Sequence, residues 1–384
     1  MPYQQPLHVC EIAVSRLPVN HRGDWIFVRL TDRAGRVGYG EASHSGDDAA
    51  TMALLEGPLV EQVVGRPWDD PARAWGTLDV AVPPGTARRV AATAASAVEQ
   101  ALWDLRAQVE GVSLVELLAP GAEEGNARTP DAPAAAQTVP LYANINRATV
   151  DRSPAGFAAN AAQAVADGFR IVKLAPFDEV TYHSAAQDRR RLAESGLARV
   201  AAVRKAVGPE IRVLVDCHWR FDVPTALEVA GGLAELGAGW MEDPVPYEDG
   251  PDDVLAVRRS APLPIATGER LIGAAAFVPF LEVGAADLYL PDVKHIGGIG
   301  ELLALARQSA ASGVRITPHN PSGPIGTLAS ASALASVAHA APLEFAWGEV
   351  TWRPTVLDPA EQILDGALVL PHGRPGLGAS LTRR

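Results

Sequence analysis

A series of acids and one histidine recurs along this chain at a spacing that suits a single reaction centre. Asp216, Glu242, Glu269, Asp292, His319 and Glu344 follow one another at intervals of 26, 27, 23, 27 and 25 residues. Three carboxylates such as Asp216, Glu242 and Glu269, brought to one place, repel each other unless a cation sits among them. Oxygen-only donors suit a hard divalent ion, and Mg²⁺ is the one expected. Asp292 and His319 come next in the series. An imidazole held by a carboxylate has a defined tautomer and a basicity useful near neutral pH, so His319 is a candidate general base. In VDCHWRF, strand alternation puts Asp216 and His218 on one face and Cys217 on the other, which makes His218 a candidate general acid beside the ion. Lys173 is a candidate for neutralising a substrate carboxylate. Glu344 would face the same cavity and is a candidate to hydrogen-bond an enolate oxygen.

These residues need elements that deliver them to one place. From residue 140 onward, short apolar runs end in a polar residue, and each is followed by an Ala/Leu-rich helical stretch. The runs are VPLYANI, FRIVKLAP, IRVLVDCH, AGWMEDP, PIATGER, DLYLPDV, RITPHN and LEFAWGE. Asn144 and Lys173 mark the first two ends, and only the interval from Lys173 to Asp216 is wide, at 43 residues. Eight βα units of nearly regular length predict a parallel barrel, whose chemistry sits at the C-terminal strand ends. The region before residue 140 reads differently. HVCEIAV and DWIFVRLTD are β-rich, SRLPVNHRGD between them reads as a polar loop, and DRAGRVGYGEA places glycines where a hairpin closes. AATAASAVEQALWDLRAQVEG is a helix of about five turns with a glycine just past its end. Residues 119–140 are rich in Ala and Pro and read as a linker.

Composition narrows the function classes. The chain has 384 residues, and 33 Lys+Arg against 45 Asp+Glu leave a net charge of −12. An acidic surface disfavours nucleic acid and anionic membranes as partners. Two cysteines, Cys10 and Cys217, exclude a disulfide framework and a thiolate metal cluster. The stretch Asn320 to Leu343 lacks Asp, Glu, Lys and Arg, but it carries three prolines and several serines, and alanine dominates its apolar residues. It reads as a buried helix rather than a membrane span. MPYQQPLHVCEIAV lacks the basic and apolar regions of a signal peptide, so a cytoplasmic location is expected.

Taken together, the segments GYGEA, AVEQALWDLRAQVEGVSLVELL, VDCH, WMEDP, ATGER, PDVKHIGGIGE, PHN and LEF resemble the enolase superfamily, and within it the mandelate racemase-like subgroup. The resemblance implies an α/β fold: a modified TIM (β/α) barrel under an α+β capping domain built from the N-terminal region and the C-terminal tail. The domains expected are 1–136 for the cap with its linker, 137–350 for the barrel, and 351–384 for a segment packing back on the cap. It also implies abstraction of the proton α to a carboxylate, Asp216, Glu242 and Glu269 as Mg²⁺ ligands, and Asp292–His319 as the base dyad. Two details choose among branches. Asp292 stands before Gly297 and Gly298 where the muconate-lactonizing and dipeptide-epimerase branch carries a catalytic lysine. The second strand keeps Lys173 but has Ala175 where the racemase pattern has a second lysine, which counts against racemisation. The D-x-H of Asp216 and His218 resembles the galactonate- and mannonate-type acid-sugar dehydratases, in which a histidine at this place helps the 3-hydroxyl depart.

The expected activity is therefore Mg²⁺-dependent dehydration of a sugar acid to a 2-keto-3-deoxy acid. The alternatives are a racemase, epimerase or cycloisomerase working through the same enediolate, and a non-catalytic carboxylate- or metal-binding protein. The expected partner is a small sugar acid or other hydroxycarboxylate, with no nucleic acid and no membrane, and a homo-oligomer is expected. Cap loops would read the substrate, with Arg22 and His44 as candidate contacts and Asn144 and Trp347 as candidates at the strand ends.

Overall fold

The computed structural model describes residues 3, 5–21, 23–78, 87–119, 138–181, 183–337 and 340–382. Arg22 and nearly all of the expected linker, including the 136/137 boundary, lie outside the described residues.

The N-terminal region forms an antiparallel meander. Strands β1 (Leu7–Asn20), β2 (Gly23–Asp32) and β3 (Val37–Glu41) pair in the order β3-β2-β1, and a short β4 (Pro67–Trp68) joins β1. Asp32 closes the β2–β3 hairpin by accepting from Ala34 N and Arg36 N at 2.9 Å each. One expectation fails here. SRLPVN is not a loop, because β1 runs on to Asn20. The register shift between Leu17 and Asn20 lets Pro18, which lacks an N–H, sit in the strand. Against the meander lie α1 (Asp48–Glu56), α2 (Pro58–Val63) and α4 (Arg88–Glu110), and α3 (Ala74–Thr77) and α5 (Leu114–Leu117) pack on α4. The glycines of GYGEA explain the close approach of β3 to α4. A Cβ on Gly40 would lie 1.9 Å from Ala97 O, and one on Gly38 would lie 2.3 Å from Ala101 O.

The barrel has eight parallel strands, β5 (Thr138–Asn144), β6 (Ile171–Leu174), β7 (Arg212–Asp216), β8 (Ala238–Glu242), β9 (Ile265–Thr267), β10 (Leu288–Tyr289), β11 (Arg315–Ile316) and β12 (Leu343–Phe345). Strand β12 pairs with β5, and Ala341 N donates to Ile316 O at 3.1 Å across the remaining gap beside β11. Among the described residues, seven α-helices fill the connections: α6 (Pro154–Ala166), α7 (Ala186–Val207), α8 (Val223–Glu235), α9 (Asp252–Ser260), α10 (Val278–Val283), α11 (Ile299–Ala311) and α12 (Pro324–Leu334). Inside the barrel Tyr142, Leu214, Trp240, Ala266 and Leu288 form one apolar cluster. Strand alternation places the first three of these one layer beneath Asn144, Asp216 and Glu242. Helix α12 is buried throughout, as the uncharged stretch Asn320–Leu343 predicts. No helix among the described residues is long and apolar enough to cross a membrane. Cys10 and Cys217 are both free.

The chain then returns toward its start. Strands β13 (Leu357–Asp358) and β16 (Ser380–Leu381) pair with each other, while β14 (Gln362–Leu364) and β15 (Ala367–Val369) form a hairpin whose β15 runs antiparallel to the first half of β5. Farther on, Leu377 N donates to Asp104 of α4 at 2.8 Å, and Leu114 N donates to Gly376 O at 2.7 Å.

Two cap carboxylates fasten the meander and α4 to the barrel. Glu41, at the end of β3, accepts from Gly323 N and Gly326 N at the start of α12, each at 2.7 Å. Glu99, in the middle of α4, accepts from Ile299 N and Gly300 N at the start of α11, each at 2.7 Å, and from the Trp103 indole at 2.7 Å. Both use the positive end of a helix and its orphan N–H groups. A Cβ on Gly298 would lie 2.0 Å from Glu99 Oε2, so glycine is required where Glu99 docks. Glu99→Ala leaves three donors unpartnered and is expected to cost about 3–5 kcal/mol in urea unfolding, against about 1 kcal/mol for Trp103→Phe. Equal losses in the two variants would refute this account of the docking.

Candidate active site

The C-terminal ends of β7, β8 and β9 bring Asp216, Glu242 and Glu269 together. One oxygen from each lies within 4.8 Å of the other two, and all three residues are buried. Asp216 and Glu242 are the last residues of their strands, whereas Glu269 lies two residues beyond β9. Each carboxylate has a basic side chain close by, and Lys173 Nζ also lies 3.9 Å from Asp216 Oδ2. His218 Nε2 is 2.9 Å from Asp216 Oδ2, Lys173 Nζ is 2.6 Å from Glu242 Oε1, and His319 Nε2 is 3.0 Å from Glu269 Oε2.

These bases do not fully compensate the acids. Burial, with Asp216, Glu344 and Glu269 nearby, pushes Glu242 well above the usual carboxylate range, although Lys173 opposes the shift. Asp216 and Glu269 are also buried, but His218 and His319 respectively hold them below that range. A buried group of three hard oxygen donors in which one carboxylate resists ionisation fits a divalent cation such as Mg²⁺. Enolase-superfamily proteins bind this ion at such a cluster.

The candidate base is held on its other side. His319 Nδ1 is 2.8 Å from Asp292 Oδ2. Burial works against a charged imidazole, but Glu269, Glu344 and Asp292 outweigh it, and His319 is pushed up to about 10. Asp292 is itself clamped. Lys294 Nζ donates to its two oxygens at 2.9 and 2.8 Å and to Ser322 Oγ at 2.6 Å, and His295 Nε2 lies 3.6 Å away. Despite burial, Lys294, His295 and His319 keep Asp292 well below the usual range. Lys294 and His295 were not among the expected site residues. The signal was in PDVKHIGG, where a lysine and a histidine sit between apolar residues just past a strand end.

Several expectations need correction. His218 does reach Asp216, but not by strand alternation, because β7 stops at Asp216. His218 and Trp219 have φ of +48° and +57°, and this left-handed turn, braced by His218 N donating to Asp216 Oδ1 at 3.0 Å, carries the imidazole back. Lys173 is 1 % exposed, and its ammonium is directed at Glu242 and Glu344. Glu344 accepts from Lys173 at 3.0 Å, Asn144 Nδ2 at 2.5 Å and Asn320 N at 2.8 Å. Lys173 and His319 hold it below the usual range in spite of burial.

Asn144 is equally occupied, its amide donating to Glu344 and its oxygen accepting from Asn146 N at 2.9 Å. The Trp347 indole donates to Asp167, in the turn leading into β6, and does not join the cluster. Among the described substrate candidates, His44 is engaged as well. Its Nε2 is 3.0 Å from Arg147 Nη1, and Arg147 in turn pairs with Glu349 at 2.7 Å. Burial, together with Arg147 and Lys294, keeps His44 well below its ordinary value.

The chain matches the family model described as mandelate racemase/muconate lactonizing enzyme, N-terminal domain, over residues 4–119, and the one described as enolase C-terminal domain-like over 156–384. It is 30% identical to a D-galactonate dehydratase of Verminephrobacter eiseniae, over 98% of this chain and 92% of that protein. It is also 30% identical to a D-gluconate dehydratase of Thermoproteus tenax, over 94% and 68%. A D-galactarolactone cycloisomerase of Agrobacterium fabrum is 29% identical, over 93% and 89%. Among solved structures, a mandelate racemase/muconate lactonizing enzyme from Sulfitobacter superposes with a TM-score of 0.80 at 25% identity, over 98% of this chain and 93% of that one. The modified barrel, the meander over its mouth and the three-carboxylate cluster agree with these matches, and the chain belongs to the mandelate racemase/muconate lactonizing enzyme family of the enolase superfamily.

Proposed function

We propose that this protein is a Mg²⁺-dependent acid-sugar dehydratase, acting as a homo-oligomer, with residues 1–136 as cap, 137–350 as barrel and 351–384 as a returning segment. The observation that carries the reading is the pair of imidazoles at the acid cluster, His319 beside Glu269 and His218 beside Asp216. A racemase needs a base on each face of the α-carbon, but elimination needs one base and one acid. Ala175 beside the fully engaged Lys173 leaves β6 without a second base. The named relatives, which include D-galactonate and D-gluconate dehydratases, support the same reading.

Asp216, Glu242 and Glu269 would hold Mg²⁺. Bound there, the ion supplies positive charge for the substrate carboxylate and for the negative charge that grows on it as the α-proton leaves. With Glu269 committed to the ion, the carboxylate that most raises His319 would be offset, and the neutral ring would take the C2 proton at Nε2, while Asp292 fixes the ring through Nδ1 and Lys294 holds Asp292 still. His218 gives its proton to the 3-hydroxyl, which departs as water. The enol that remains tautomerises to the 2-keto-3-deoxy acid.

The test is to mix the protein with Mg²⁺ and a panel of sugar acids and assay 2-keto acid. If none forms while one acid epimerises or exchanges its α-proton in heavy water, an isomerase stands instead. His218→Asn separates the two steps. Formation of 2-keto acid is expected to fall by about 10²- to 10³-fold while α-proton exchange in heavy water persists. Loss of both together would remove His218 from the acid role.

A further inference from the structure

Helix α4 meets the segment after β10 with one side chain per turn. Glu99 holds Ile299 N and Gly300 N, Ser96 Oγ accepts from Gly297 N at 3.0 Å, and Thr93 Oγ1 lies 2.8 Å from His295 Nδ1. Positions 99, 96, 93 and 89 are three or four apart and form a single stripe. Arg89 is its next step toward the helix N-terminus, and there the stripe reaches a cleft instead of backbone. Arg89 lines a cleft of about 550 Å³ together with His218, Trp219, Arg220, Glu269 and Arg270.

The other two arginines of that cleft are engaged. Arg220 Nη1 donates to the carbonyls of Phe177, Asp178 and Val180 at 2.6–3.0 Å. Arg270 pairs with Glu248 at 2.6 Å and stacks on the Trp219 ring at 3.4 Å. Arg89 differs. Among the described residues no carboxylate lies within ion-pair distance of it, and its Nε is buried without a hydrogen-bond partner.

We infer that Arg89 selects substrates carrying a second carboxylate, so that the acid taken by this site is an aldaric acid. This rests on the dehydratase reading for which carboxylate goes where. The near carboxylate goes to the Asp216–Glu242–Glu269 cluster, and the far one meets the guanidinium from the cap side. A planar fork of N–H donors matches a carboxylate through two parallel bonds. A terminal hydroxymethyl group offers acceptors but no charge, and it leaves a partly buried cation uncompensated.

The experiment compares kcat/KM for matched aldaric and aldonic acids of the same carbon skeleton in the wild type, Arg89→Gln and Arg89→Lys, with Mg²⁺ present. The wild type is expected to prefer the aldaric acid by about 100-fold, and Arg89→Gln to remove most of that preference, chiefly through KM. Arg89→Lys keeps part of it. A wild-type preference for aldonic acids, or an equal slowing of both substrates in Arg89→Gln, overturns the assignment. If no acid is turned over at all, the dehydratase reading falls, and calorimetric binding of the aldaric acid decides this one. Binding weakened at least tenfold by Arg89→Gln supports it, and unchanged binding refutes it.

Discussion

His319→Asn is expected to reduce turnover by about 10³- to 10⁴-fold while the thermal shift produced by Mg²⁺ persists. The asymmetry follows from where the histidine stands. Its Nδ1 is held by Asp292, and its Nε2 points into the acid cluster at Glu269 without belonging to it. Removing the ring removes the proton acceptor but leaves Asp216, Glu242 and Glu269, and therefore the ion-binding oxygens, in place. Exchange of the α-proton into heavy water should vanish along with 2-keto acid formation, because both need the same abstraction. A variant that still exchanges that proton at more than a tenth of the wild-type rate would mean that another group is the base.

The second large effect is on stability. Lys173→Met is expected to cost about 3–5 kcal/mol in urea unfolding without divalent ions. Burial disfavours the Lys173 ammonium, but Glu242 and Glu344 outweigh it and raise the group well above the ordinary lysine value. Methionine fills similar space yet leaves two buried carboxylates without their shared cation. Mg²⁺ should restore part of the loss, because it compensates Glu242, and not all of it, because Glu344 lies outside the ligand cluster. A loss below about 1 kcal/mol, or one indifferent to Mg²⁺, would show that the ammonium does not hold these acids together.

The convergence of the acid trio was legible because the barrel repeats. Each unit is one strand and one helix, so chemically capable residues at matching places in successive units converge. The glycines at 38, 40 and 298 were visible as letters, but their reason was not, since each answers a contact with α4 far away in sequence. The same holds for Glu41, whose partners on α12 lie some 280 residues later. Side-chain partners that depend on mutual saturation were not legible. Glu344 and Asn144 look like free polar groups at strand ends until Lys173 and Asn320, from other units, are seen to occupy them. Alternation located His218 correctly for the wrong reason, because nothing local announces that β7 ends at Asp216 and that two non-glycine residues turn left-handed after it.

Helix α4 is fastened over its middle turns and meets the cleft at its first. That division separates two demands that usually compete during evolution. Glu99, Ser96 and Thr93 answer for assembly, and a change there loosens the whole molecule. Arg89 rests on none of those bonds, so this one position can be exchanged generation after generation at little risk to folding. A lineage that needs a new acid can reach it by altering a single codon at the end of a rigid rod, with the reacting groups below untouched.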